Sequence, residues 1–134
     1  MQTLPRVQQR SLRILLADDE AVLRLVVEAM LESLGCEVVT VENGAAAVDA
    51  ALSDRFDVVL LDVRMPVMDG LDAARRIRAA RPDQYIVALT ANVYAEDVQQ
   101  ALDAGMNAFL AKPVTLERLQ SALDCRLVGV LDAT

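Results

Sequence analysis

An alternation in the chain limits what it can fold into. Short aliphatic runs occur at 13–17 (RILLA), 57–61 (DVVLL), 85–89 (YIVAL) and 107–111 (NAFLA), with a more alternating one at 36–41 (CEVVTV). Between them lie stretches with helical spacing. Residues 20–34 place Leu23, Val26, Val27, Met30, Leu31 and Leu34 on one apolar face, and Gly35 follows as a stop. Residues 43–53, 70–80 and 95–104 are Ala-rich, and Gly105 closes the last. Residues 115–127 align Leu116, Leu119, Leu123 and Leu127 behind a capping Thr115. Continuous aliphatic runs suit strands covered on both faces, and alternation suits a sheet edge. Strand then helix, five times over, predicts an α/β fold. The expected form is a flavodoxin-like, doubly wound (βα)5 parallel sheet of order 2-1-3-4-5 in a single domain.

The domain is expected over residues 12–127, with 1–11 as a polar tail or linker and 128–134 as a short C-terminal tail. The chain is 54% hydrophobic but only 3% aromatic, so the core must be built from Leu, Val, Ala and Ile. No apolar run approaches a membrane span, and the leader lacks the apolar middle of a secretory signal, so membrane insertion is not expected and the location read is cytoplasmic. A net charge of −7 argues against non-specific nucleic-acid binding. With no segment after residue 127 able to form a DNA-binding unit, direct DNA contact is not expected either. Cys36 and Cys125 form no CxxC pair and read as structural thiols. The chain has no histidine, which excludes Ser-His-Asp and Cys-His catalysis, histidine metal sites and a phosphohistidine of its own.

The residues leaving each strand are polar in a way the strands are not. The first run exits into Asp18, Asp19 and Glu20, the third into Asp62, the fourth into Thr90 and the fifth into Lys112. In an open parallel sheet these exits share one edge, where ligands bind. Two carboxylates about 5 Å apart repel by roughly 3 kcal/mol at an effective dielectric of 20. Lys112 offsets one charge, and an oxygen-only donor set without His or Cys suits Mg²⁺ for the rest. Such a site wants an anion with several oxygens, to which Lys112 and the Thr90 hydroxyl can both donate. Asp62 is the candidate phosphoryl acceptor.

The segments LLADDE, LLDVRMPVMDG, ALTAN and FLAKPV, in this order and spacing, resemble the receiver domain of bacterial two-component response regulators. The resemblance implies that Asp62 is phosphorylated. It implies that Mg²⁺, with Mn²⁺ as a substitute, is held by Asp19, Asp62 and the backbone carbonyl of Arg64, with Asp18 in the same acidic pocket. Thr90 and Lys112 become phosphate contacts, Phe109 a switching aromatic, and Lys112–Pro113 a cis bond. Arg64 and Asn92 flank the path of attacking water and tune the phosphoryl lifetime. Val22 and Leu25, on a second stripe of the first helix that also holds Ala29, would dock the donor bundle beside Pro113. The implied partner is a histidine kinase or a histidine phosphotransfer protein, with a phosphorylation-dependent dimer as a further assembly. ALTANVYAEDVQQALDAGMNAFLAKPVTLERL is most similar to receivers of hybrid histidine kinases, so the chain is read as a receiver cut from such a kinase, with a stand-alone response regulator as the alternative.

Plainer readings compete. Asp18, Asp19 and Glu20 suit a helix N-terminus, and Glu20, Asp69 and Asp72 are read as helix-start or loop charges only. Thr90 could cap a helix, Lys112 could be a solvated lysine, and Phe109 could simply pack. An aspartate-nucleophile phosphohydrolase would want an acid two residues after Asp62, where this chain has Arg64. A receiver-like module that is never phosphorylated would have no need of the full set of acids, hydroxyl and lysine.

Overall fold

The computed structural model describes residues 12–91 and 95–132. Strands and helices alternate throughout: β1 (Arg13–Ala17), α1 (Ala21–Ser33), β2 (Glu37–Val41), α2 (Gly44–Ser53), β3 (Val58–Asp62), α3 (Gly70–Ala80), β4 (Tyr85–Thr90), α4 (Ala95–Asp103), β5 (Ala108–Ala111) and α5 (Leu116–Asp132). All four pairings are parallel and the order is β2-β1-β3-β4-β5, as the alternation predicts. Gly35 and Gly105 take positive φ just past the ends of α1 and α4, the backbone state that stops a helix.

The sheet divides the core into two layers. Ile14, Leu16, Val58, Leu60, Val87, Leu89 and Leu110 pack against Val27 and Leu31 of α1 and Leu119 and Leu123 of α5. The alternate residues Leu15, Ala17, Val59, Leu61, Ile86 and Ala88 pack against small residues of α2, α3 and α4, among them Ala47, Ala51, Ala73, Ala74 and Ala101. Ala-rich helices thus sit close to the sheet, and each fully buried Leu, Ile or Val contributes roughly 1.5–3 kcal/mol of transfer energy. β3 is buried along its whole length, while β2 is half open, as its alternating sequence requires of an edge.

Two expectations need correction. The helical spacing places Val26 on the buried face of α1, but it is 44% exposed. At about 100° per residue it stands about 85° from the middle of the arc defined by Leu23, Val27, Met30, Leu31 and Leu34, outside what one sheet face can cover. α5 runs to Asp132 rather than ending at 127. No Pro interrupts it, and a single Gly costs a helix only about 1 kcal/mol.

Register brings the strand ends level. Ala17 pairs with Val41 and Leu61, Asp62 with Leu89, and Thr90 with Ala111. The loop after β3 is pinned at both ends: Gly70 N–H donates to the Val63 carbonyl at 2.9 Å and Gly44 N–H to the Met68 carbonyl at 2.9 Å. A Cβ on Gly70 would collide with the Asp62 carbonyl. Between these pins the chain closes a three-residue turn, with Met68 N–H on the Pro66 carbonyl at 2.7 Å. Val67, at its centre, is driven to φ 70°. A β-branched residue there is strained. Val67 is 82% exposed, so replacing it loses little packing. Val67→Asn is expected to stabilise the fold by roughly 1 kcal/mol, about 3–5 °C in a thermal melt. An unchanged or lower melting temperature would contradict the strain.

Candidate functional site

β1 delivers Asp18, and its backbone holds the residue tightly. Asp18 N–H donates to the Val41 carbonyl at 3.2 Å, and Asp18 Oδ1 accepts from Glu20 N–H at 2.9 Å. The side chain is 1% exposed, and among the described residues its Oδ2 is the one buried side-chain polar atom without a hydrogen-bond partner. β3 delivers Asp62, 5% exposed, whose Oδ1 accepts from Arg64 N–H at 3.0 Å and whose Oδ2 accepts from Lys112 Nζ at 2.9 Å. β5 delivers Lys112, whose Nζ also lies 3.5 Å from Asp18 and 3.6 Å from Glu20. The Lys112–Pro113 bond is cis. Lys112 N–H donates to the Thr90 carbonyl at 2.8 Å, tying the ends of β4 and β5 together beside the carboxylates.

Burial raises the pKa of Asp62; the hydrogen bonds from Lys112 and Arg64 pull it down, and Asp18 pushes it up again, leaving it above the ordinary carboxylate value. Burial also pulls the Lys112 ammonium down, but three carboxylates together outweigh that and hold its pKa above the ordinary value. The two shifts are compatible, because Lys112 faces three anions whereas Asp62 faces one cation and another acid.

Of the residues singled out from the sequence, Asp18, Asp62 and Lys112 meet directly. Thr90 and Phe109 line a neighbouring hollow of about 400 Å³ with Arg64, Met65 and Ala101. Phe109 is 41% exposed beside it. Asp19 is exposed, and the three carboxylates gathered within 4.8 Å of one another are instead those of Asp18, Glu20 and Asp62. Glu20 is the residue that sequence reasoning set aside. It occupies the position before α1 but makes no side-chain cap bond, so its carboxylate is free to reach back over the site. The available signal was its type, since Glu is not among the favoured N-cap residues. Asp69 and Thr115 do cap α3 and α5. Pro113 is exposed beside Lys112, and Val22 and Leu25 are 73% and 65% exposed at the start of α1. Asn92 lies outside the described residues.

The donor set fits a hard divalent cation. All donors are oxygens, the acids outnumber the one lysine, and a buried carboxylate oxygen is left over that a cation would satisfy. No helix among the described residues is long and apolar enough to cross a membrane.

Comparison with known proteins agrees. The chain is 42% identical over 120 residues to the sensor protein GacS of Pseudomonas syringae, covering 86% of this chain and 13% of that protein. It is 37% identical over 110 residues to the sensor histidine kinase RcsC of Escherichia coli, covering 82% and 12%. The chain therefore spans only a small part of the curated relatives it matches. Among solved structures it is similar to the receiver domain of a sensor histidine kinase from Pseudomonas aeruginosa, which has a magnesium ion in its active-site cleft (44% identity, TM-score 0.82, 90% of this chain and 99% of that one). It is also similar to the chemotaxis protein CheY4 of Vibrio cholerae (32% identity, TM-score 0.82, 86% and 98%). A family model for the response regulator receiver domain matches residues 14–124, and with the fold and the acidic cleft already in hand, the chain belongs to that family.

Proposed function

We propose that the chain accepts a phosphoryl group on Asp62 from a phosphohistidine carried by a histidine kinase or a histidine phosphotransfer protein. The observation that carries this reading is the pairing of the buried Asp62 with Lys112 at 2.9 Å, next to an acid, Asp18, that has an unsatisfied oxygen. A carboxylate oxygen of Asp62 attacks phosphorus, the P–N bond breaks, and its electron pair leaves with the donor imidazole. Lys112 then exchanges its carboxylate partner for a phosphoryl oxygen, and the Arg64 amide stays on the acceptor. Asp18, Asp62 and the Arg64 carbonyl, with Asp19 brought in from its exposed position, would hold Mg²⁺ (Mn²⁺ substituting). The cation would neutralise charge on the transferred group. The phosphoryl group adds roughly two negative charges. Thr90 is the hydroxyl donor on the β4 side, and Phe109 has the neighbouring hollow into which to move.

Val22, Leu25 and Pro113 form the donor-docking surface in this reading. The domain is a cytoplasmic phosphoacceptor that promotes its own phosphorylation and slow dephosphorylation, and in this reading it makes no direct contact with DNA. Its relatives support an origin in a hybrid histidine kinase. A phosphorylation-dependent dimer is a further assembly state. Arg64 instead of an acid two residues after Asp62 speaks against a phosphohydrolase.

Incubation with acetyl phosphate and Mg²⁺, followed by intact-mass measurement, tests the reading. One added phosphoryl group is expected, and none in EDTA. No mass gain with Mg²⁺ would refute it.

The lifetime of the product is a separate expectation. Arg64 is exposed beside Asp62 and offers no general base to attacking water. Arg64→Ala is expected to change the decay rate of the phosphorylated protein severalfold while leaving the extent of labelling intact. Equal decay in variant and parent would remove Arg64 from this role.

A further inference from the structure

We infer that Arg24, at the end of the first turn of α1, is a positioning residue for the acidic cleft: it holds the main chain of Asp18 so that Oδ2, which has no hydrogen bond, stays aimed at the site beside Lys112. The inference rests on the reading of the cleft as a Mg²⁺ site. Arg24 Nη1 donates to the Asp18 carbonyl at 2.7 Å, while Arg24 N–H donates to the Glu20 carbonyl at 2.9 Å. The backbone bond is the first i→i−4 bond of α1, which any residue here would make, so what Arg24 adds to the β1–α1 turn is its side-chain bond. Asp18 is restrained at three further points: its amide by Val41, its Oδ1 by the Glu20 amide, and the strand before it by β2 and β3. The carbonyl is the last group that could let the turn rotate, and Arg24 is what secures it. Only Oδ2 of Asp18 is left without a hydrogen bond, and it lies 3.5 Å from Lys112 Nζ.

The placement of the guanidinium has two opposed consequences. It brings a positive charge within one residue of a cleft meant for a cation, which by Coulomb's law alone weakens cation binding. It also fixes the orientation of a ligand carboxylate, and losing such outer support typically costs 10–100-fold in metal affinity. Arg24 is half-buried and lines a hollow with Thr40, Glu42 and Asn43, and its side chain is directed by the 2.7 Å bond to the Asp18 carbonyl. The geometry favours the second consequence, because the guanidinium acts on the turn carbonyl at hydrogen-bond distance, whereas its charge is partly solvated.

The two consequences predict opposite signs, which makes the inference testable without any phosphoryl donor. Mg²⁺ is titrated into the isotopically labelled full chain while amide chemical shifts are followed, and a thermal melt is run on each variant. Arg24→Ala is expected to bind Mg²⁺ at least fivefold more weakly than the parent, and Arg24→Lys, which keeps charge and a donor, to recover most of that loss. Arg24→Met, which keeps the buried stem, is expected to match Arg24→Ala and decides the matter if the alanine variant does not fold. Equal or tighter Mg²⁺ binding in a folded Arg24→Ala or Arg24→Met protein would overturn the inference. So would a lower melting temperature with unchanged Mg²⁺ affinity, which would leave Arg24 a purely structural clamp. Failure of the parent itself to bind Mg²⁺ at Asp18 and Asp62 would instead refute the metal-site reading.

Discussion

Asp62→Asn is expected to take up no phosphoryl group from acetyl phosphate and Mg²⁺ and yet to melt at a higher temperature than the parent at neutral pH. The first half follows from chemistry, since an amide oxygen does not displace a phosphoryl leaving group as a carboxylate does. The second follows from burial. Burial holds the Asp62 pKa above its ordinary value, so the folded chain binds that proton more tightly than the unfolded chain does. The stability conferred by the protonated carboxyl is intact below the unfolded-state pKa of about 4 and is lost as pH rises through the folded-state value. At neutral pH the ionised group is therefore a net cost, which a neutral amide of the same shape removes. The amide oxygen can still accept from Arg64 N–H, and Lys112 keeps Asp18 and Glu20 at 3.5 and 3.6 Å. The melting gap should be widest near neutral pH and close below about pH 4. Continued labelling of Asp62→Asn would move the acceptor to another residue. A lower melting temperature at neutral pH would mean that the pairing with Lys112 outweighs the burial cost.

Leu25→Asp is expected to slow phosphoryl transfer from a phosphohistidine protein at least tenfold, a loss of roughly 1.4 kcal/mol or more in the transition state. Labelling by acetyl phosphate should hardly change. Leu25, Val22 and Val26 are 65%, 73% and 44% exposed on one side of α1, with Ala29 exposed beside them. Val26, which leaves the buried face, widens the stripe from the three residues read in the sequence to four. In the proposed function this contiguous apolar patch, at the helix end nearest the acidic cleft, is the donor-docking surface, and an aspartate in its middle would need desolvation on docking. A small donor needs no helix face, so it serves as the internal control. Equal slowing with both donors would mean that the substitution damaged the cleft. Equal rates with the phosphohistidine donor would place docking elsewhere.

Much of the fold could be read in advance because its signals are periodic. A strand buried on both faces, such as β3, is a continuous aliphatic run, and a helix over a sheet carries an apolar arc. The five runs and their intervening arcs were enough to give a parallel sheet covered on both faces, and the chain length pointed to the 2-1-3-4-5 order among such sheets. The placement of Asp62 and Lys112 in one cleft followed from the geometry of parallel strand ends alone. The side-chain directions that sequence does not encode were harder. Asp18 and Asp19 are adjacent and identical in type, yet one is buried and the other exposed, because successive side chains leaving β1 point to different sides. Glu20 looked like helix-start charge, and only its missing cap bond and its distance to Lys112 reveal its place over the cleft. Arg24 carried no signal at all: its bond to the Asp18 carbonyl spans a turn and belongs to no repeat. Val26 shows the limit of the helical arc itself, since spacing marks its middle well and its edges poorly.

The positions of β3 and β5 in the sheet give the two partners of the central ion pair unequal freedom. Asp62 ends a strand with β1 on one side and β4 on the other, whereas Lys112 follows a strand whose single neighbour is β4. Lifting the acceptor away would rupture two ladders of backbone hydrogen bonds; withdrawing the lysine would peel one. The anion is thus the fixed electrode of the pair and the cation the adjustable one. In the proposed function a change of charge in the cleft would therefore be taken up at the β5 margin, next to Phe109 and Pro113.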